Sequence, residues 1–123
     1  MSGIMYGYAR VSTRNQREDR QLSALRAFGV AAEHITVEKQ SGKDFDRPLY
    51  QRLTRALSPG DVLVVKSIDR LGRNYAEILD QWARITKTRK AAIVVLDMPL
   101  LDTRAGRDLT GTLVADIVLQ LLS

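Results

Sequence analysis

Four consecutive apolar residues, Val62-Leu63-Val64-Val65, stand between Asp61 and Lys66. Successive side chains of a strand point to opposite faces, so a strand that is apolar at every position is covered on both sides. This places Val62 to Val65 at the centre of a sheet. Around it, stretches with helical spacing alternate with short strand-like runs. Leu22, Leu25 and Phe28 recur at helical spacing on a charged segment ended by Gly29, which predicts a surface helix from about Asn15 to Phe28. His34 to Lys39 alternates through Ile35 and Val37 as a second strand, with His34 as a surface residue at its start. Pro48 suits a first helical turn, and Leu49, Leu53, Ala56 and Leu57 form the stripe of a helix that Ser58-Pro59-Gly60 ends. Ile78, Leu79, Trp82 and Ile85 mark a long helix from Tyr75 onward, closed by Lys87-Thr88-Arg89-Lys90, whose cations suit a helix C-terminus. Ala91 to Leu96 is a further buried strand, broken by Asp97-Met98-Pro99, and 100–106 reads as a loop. The expected fold is α/β, a mainly parallel sheet of four or five strands with helices on both faces.

The first strand carries the chemistry. In Tyr6-Gly7-Tyr8-Ala9-Arg10-Val11-Ser12, the residues Tyr6, Tyr8, Arg10 and Ser12 share one face and Gly7, Ala9 and Val11 the other. A guanidinium and a hydroxyl therefore point the same way where a strand ends and a helix begins. In an open α/β sheet that edge binds ligands, and a helix N-terminus adds donors suited to a phosphate. If strands one and three are parallel neighbours, Ser67-Ile68-Asp69-Arg70-Leu71-Gly72-Arg73 emerges on the same edge, bringing two basic residues and a carboxylate to it.

Nineteen basic residues against fourteen acidic give a net charge of +5. Fourteen of the nineteen are arginine, whose planar fork fits phosphate with two bonds, so an anionic partner is expected. The chain has no cysteine and one histidine, His34, which leaves no thiolate or His-rich metal site. No apolar run approaches the ~20 residues needed to span a bilayer, so a cytoplasmic protein with no membrane association is expected. At 123 residues the size fits one domain, 1–123. From about Arg107 to Ser123, Leu109, Leu113, Val114, Ile117, Val118, Leu119, Leu121 and Leu122 cover most of a helix circumference. Such a helix needs a partner on more than one side, either another subunit or the domain's own core.

Three motifs, in order, resemble the catalytic domain of the serine recombinases, the resolvase/invertase family. They are Tyr8-Ala9-Arg10-Val11-Ser12-Thr13 with Gln16, then Ser41-Gly42 followed by Arg47-Pro48, then Ile68-Asp69-Arg70-Leu71-Gly72-Arg73. The resemblance covers nearly the whole chain. It implies a site-specific DNA recombinase with Ser12 as nucleophile. Arg10, Arg47, Arg70 and Arg73 would be the phosphate-binding and catalytic arginines, and Gln16 and Asp69 supporting residues. It also implies DNA as partner, no cofactor, assembly into dimers or tetramers through the C-terminal helix of the intact protein, and a DNA-binding domain separate from 1–123. Where the family commonly has an aspartate shortly before Ser-Gly, this chain has Glu38.

The chemistry is intelligible from the residues themselves. Breaking a strand so that it can be rejoined needs a nucleophile that keeps the phosphodiester energy as a covalent ester, which a serine or a tyrosine can do. Charge developing on the phosphoryl oxygens can be stabilised by several arginines, and removing one such donor costs roughly 3 to 4 kcal/mol of barrier. The proton acceptor is open, since Asp69 is equally suited to orient Arg70 or Arg73. Two other functions fit the same residues: a phosphate- or DNA-binding regulatory or assembly module that does not react, and a small phosphohydrolase, which would need a water-activating base or metal set.

Overall fold

The computed structural model describes residues 3–11, 17–39, 47–98, 101 and 104. Among them run strand β1 (Met5–Val11), helix α1 (Arg17–Phe28), strand β2 (Ile35–Lys39), helix α2 (Pro48–Ala56), strand β3 (Val62–Val65), helix α3 (Tyr75–Ala83) and strand β4 (Ala92–Val95). Short 3-10 turns precede β2 at Ala32–His34 and follow β3 at Ile68–Arg70. The four strands form one sheet in the order β2-β1-β3-β4, and every pairing is parallel. The α/β architecture expected from the sequence is the one observed, with β1 and β3 as the two inner strands. The expected helix at 107–123, the loop at 40–46 and the segment 12–16 lie outside the described residues. Among the described residues no helix is long and apolar enough to cross a membrane.

Alternation along the strands divides the core in two. Tyr8, Leu63, Val65, Ile93 and Val95 face α2 and α3, meeting Tyr50, Leu53, Ile78 and Trp82. Ala9, Val64 and Val94 face α1 and meet Leu25 and Val30. Trp82 is the largest side chain in the first cluster, and burying an aromatic of that kind contributes about 3 kcal/mol. Gly7 lies on the α1 side, where a Cβ would stand 3.2 Å from Leu25 Cδ1, so its lack of a side chain lets the helix settle on the strand.

The stripe expected on α2 is corrected by the structure. Leu49 is 37% exposed and Ala56 is also exposed, while Tyr50, Leu53, Thr54 and Leu57 are buried. Tyr50 takes the inward position because its ring meets Tyr8 edge-on, with centroids 5.0 Å apart. Tyr50 and Thr54 thus take the places expected of Leu49 and Ala56, while Leu53 and Leu57 face inward as expected. His34 is half-buried rather than a surface residue, its ring 5.5 Å from that of Tyr6.

Helix α3 begins with a cap at Asn74, whose side chain accepts from the Glu77 N–H at 2.9 Å. The preceding Gly72 is pressed against that first turn: a Cβ there would lie 2.7 Å from Glu77 Cβ and 2.9 Å from the Ile78 nitrogen. This close approach fixes where Arg73 leaves the loop. At its other end α3 runs into a π-helical turn at Arg84–Thr88, and Lys90, with φ of 57°, turns the chain into β4.

Candidate active site

The parallel register puts the ends of β1 and β3 on one edge. β1 pairs with β3 only from Met5↔Val62 to Tyr8↔Val65, but stays with β2 as far as Val11↔Lys39. Arg10 therefore extends past the end of β3, and side chains replace the missing strand. The Arg10 N–H donates to Gln21 Oε1 at 3.3 Å, and Gln21 Nε2 donates back to the Arg10 carbonyl at 3.2 Å. Gln21 is 4% exposed, and sequence reasoning missed it. Its signal was present, since it lies at helical spacing from Leu25 and Phe28, on the inward face of α1.

Arg10 and Arg70 brace each other across this edge. Arg70 Nη1 donates to the Arg10 carbonyl at 2.8 Å, and Arg10 Nη2 donates to the Asp69 carbonyl at 3.4 Å. Burial, and after it the neighbouring Arg70 charge, holds the Arg10 guanidinium below the ordinary arginine range. Asp69 accepts from the Ser67 hydroxyl at 2.5 Å and stands 3.6 Å from Arg70 Nε. Asp69 thus lies beside Arg70 on this edge.

Arg47 enters from the start of α2 and is only 4% exposed. Its Nη1 donates to the Arg70 carbonyl at 2.6 Å and its Nη2 to the Leu71 carbonyl at 2.9 Å, while its guanidinium lies 3.8 Å above the Tyr50 ring. It thus ties the Arg70 loop to α2. The helix itself is capped from β2 by Glu38, which is 3% exposed. Glu38 accepts from the Leu49 and Tyr50 N–H groups at 2.9 and 3.0 Å and from the Tyr8 hydroxyl at 2.8 Å. The acidic residue that departs from the family pattern therefore anchors the helix that carries Arg47.

Arg73 stands at the entrance to α3, 58% exposed, beside Glu77. Its N–H donates to Glu77 Oε1 at 2.8 Å, and its Nε and Nη2 approach Oε1 and Oε2 at 3.4 and 3.5 Å. The Glu77 carboxyl lies below the usual glutamate range, first because of that backbone donor and then because of the Arg73 side chain. Between α2 and α3 a cavity of about 320 Å³ opens, lined by Arg47, Tyr50, Glu77, Gln81 and Arg84 among others. Ser12 and Gln16 lie outside the described residues. Among the described residues no three His, Cys, Asp or Glu side chains gather as a metal ion would require.

Two buried tyrosines give this region an alkaline limit. Burial, and then the bond to Glu38, raises the Tyr8 phenol, and burial pushes Tyr50 up to about 12 from 10.0. Above pH ~10 an unfolded chain releases these protons while the folded chain keeps them. Their contribution to stability is thus complete below pH ~10 and is lost as the pH rises toward about 12. Tyrosinate absorbance and circular dichroism followed together should show both phenols ionising with unfolding. Ionisation of all four tyrosines in a folded chain with midpoints at pH ~10 would contradict the burial.

Guanidinium groups gathered beyond the carboxyl ends of two parallel strands define an α/β domain equipped to grip an anion such as a phosphate. Comparison with known proteins supplies the family. Residues 5–120 match the family model described as "Resolvase, N terminal domain", and the chain belongs to that family. It is 44% identical over 75 residues to the Transposon Tn3 resolvase of Escherichia coli, covering 61% of this chain and 40% of that protein. It is 42% identical over 88 residues to the Transposon Tn21 resolvase of Escherichia coli, covering 72% and 42%, and 42% identical over 76 residues to the DNA-invertase of Escherichia phage P1, covering 62% and 40%. The chain thus spans about two fifths of the length of these curated relatives. In fold it is similar to the N-terminal catalytic domain of TP901-1 integrase, with a TM-score of 0.64 at 23% identity over 96% of this chain and 92% of that one.

Proposed function

We propose that this chain is the catalytic domain of a site-specific DNA recombinase in which Ser12 is the nucleophile. The observation that carries the reading is the mutual brace of Arg70 with Arg10, the residue two before Ser12, in a chain of the resolvase family. Ser12 Oγ attacks a DNA phosphorus, the bond from phosphorus to the 3′ oxygen breaks, and the 5′ phosphate becomes esterified to the serine. The hydroxyl gives up its proton and the departing 3′ oxygen gains one. Arg10, Arg70 and Arg73 hold the phosphoryl oxygens, and Arg47 adds charge from behind while holding the Arg70 loop. Asp69 orients Arg70, and Gln16 supports the segment after the nucleophile. In the intact protein the apolar segment 107–123 joins subunits into dimers or tetramers, and a separate domain reads the DNA sequence.

The test traps the reaction. A chimera in which residues 1–123 replace the matching part of Tn3 resolvase is incubated with that resolvase's DNA site in EDTA, denatured, and digested for mass spectrometry. The expected product is a 5′-phosphate ester on the peptide containing Ser12. Attachment to Tyr6 or Tyr8 would overturn the assignment of the nucleophile. Binding without any adduct would favour a non-catalytic phosphate-recognising module, and release of nicked DNA without an adduct would favour a hydrolase.

A further inference from the structure

The Arg73 guanidinium lies along the Glu77 carboxylate, approaching both of its oxygens. Paired donors facing paired oxygens is also how an arginine takes a phosphate. The same carboxylate lines the α2–α3 cavity together with Arg47, a second member of the arginine set. Its position does not depend on the ion pair. Oε1 is held by the Arg73 backbone N–H at 2.8 Å, and the Gly72 loop is packed against the helix turn that bears Glu77. If the Arg73 side chain swings away, that backbone bond stays in place. An exposed pair of this kind is weak, so a DNA phosphate can displace it.

Building on the proposed function, we propose that Glu77 is an internal counter-anion that occupies Arg73 in the absence of DNA and yields it to a backbone phosphate. It is a positioning residue: it touches neither DNA nor the reacting atoms and acts through Arg73. The pair sets a threshold for DNA engagement, because each phosphate that takes Arg73 must first replace Glu77.

The test uses the full 123-residue chain and a short fluorescein-labelled DNA duplex, with affinity read by anisotropy at low salt. Glu77→Gln removes the charge and keeps an acceptor for the Arg73 N–H, since glutamine serves at this helix position as glutamate does. Its melting curve should match the parent's. Affinity should rise about two- to fivefold, and the rise should vanish when Arg73→Ala is already present. Asp80→Asn, one turn further along α3, removes the same charge and should give a smaller gain that persists with Arg73→Ala. An equal gain from Glu77→Gln in both backgrounds would overturn the proposal, as the charge would then act on DNA directly. No gain in either, while Arg73→Ala weakens binding, would overturn it too. If Arg73→Ala alone leaves affinity unchanged, the phosphate-binding role given to Arg73 under the proposed function fails, and the present proposal falls with it.

Discussion

Ser12→Ala, placed in the chimera and given its DNA site, is expected to abolish the covalent protein–DNA adduct while leaving DNA binding intact. The substitution removes one small hydroxyl and no charge, so the phosphate contacts survive and the nucleophile does not. Arg70→Ala is the informative companion. It removes a donor that the proposed function assigns to the phosphoryl oxygens and also the 2.8 Å bond to the Arg10 carbonyl, so it should slow cleavage about 10²- to 10³-fold with only modest loss of affinity. Lysine has no planar fork to hold the Arg10 carbonyl and a phosphate oxygen together, so Arg70→Lys should recover little of that loss. Gel shift and denaturing electrophoresis measure the two properties separately. An adduct formed by Ser12→Ala, or parental cleavage rates in Arg70→Lys, would contradict the site as assigned.

Glu38→Ala is expected to have the largest effect on stability. Its carboxyl group is buried and accepts three hydrogen bonds, from the Tyr8 hydroxyl and from two N–H groups in the first turn of α2. Alanine leaves all three donors without that acceptor and removes the helix cap, which together cost about 3 to 5 kcal/mol. Glutamine retains one acceptor oxygen and should recover part of the loss. Because α2 carries Arg47, and Arg47 holds the Arg70 and Leu71 carbonyls, a folded Glu38→Gln chain should also cleave DNA more slowly. Chemical denaturation checks the first effect and adduct formation the second. A Glu38→Ala chain as stable as the parent would mean that the β2-to-α2 connection is held by something else.

Much of this was legible in the chain itself, and the boundary has physical causes. The faces of β1 followed from period-two alternation, because Tyr8 and Ala9 must go to opposite sides of a pleated strand. The central place of β3 followed from four apolar residues in a row. The inward face of α2 was misread because Leu49 is the more apolar residue by composition, whereas Tyr50 is selected by its ring contact with Tyr8, 42 positions earlier. Glu38 and Gln21 escaped for a related reason. A polar side chain reads as solvent-facing until the backbone groups it satisfies are known, and those groups belong to other elements. Arg47 lies against the Arg70 loop, but its fork onto two carbonyls depends on where that loop ends, which no spacing rule conveys.

The crossed arrangement of Arg10 and Arg70 has a thermodynamic side. Each guanidinium is held by a carbonyl from the other's segment, so the fold compels two like charges to be neighbours, both partly buried. Bonds to neutral carbonyls fix their positions, and the Asp69 carboxylate, 3.6 Å from Arg70 Nε, offsets part of the charge. Like charges held this close oppose folding, and under the proposed function an arriving phosphate relieves that repulsion, so part of its binding free energy is set by the fold itself. Substitutions that neutralise either arginine should on this account ease folding while impairing function. At this edge of the sheet, selection for a more stable protein and selection for a working one act in opposite directions.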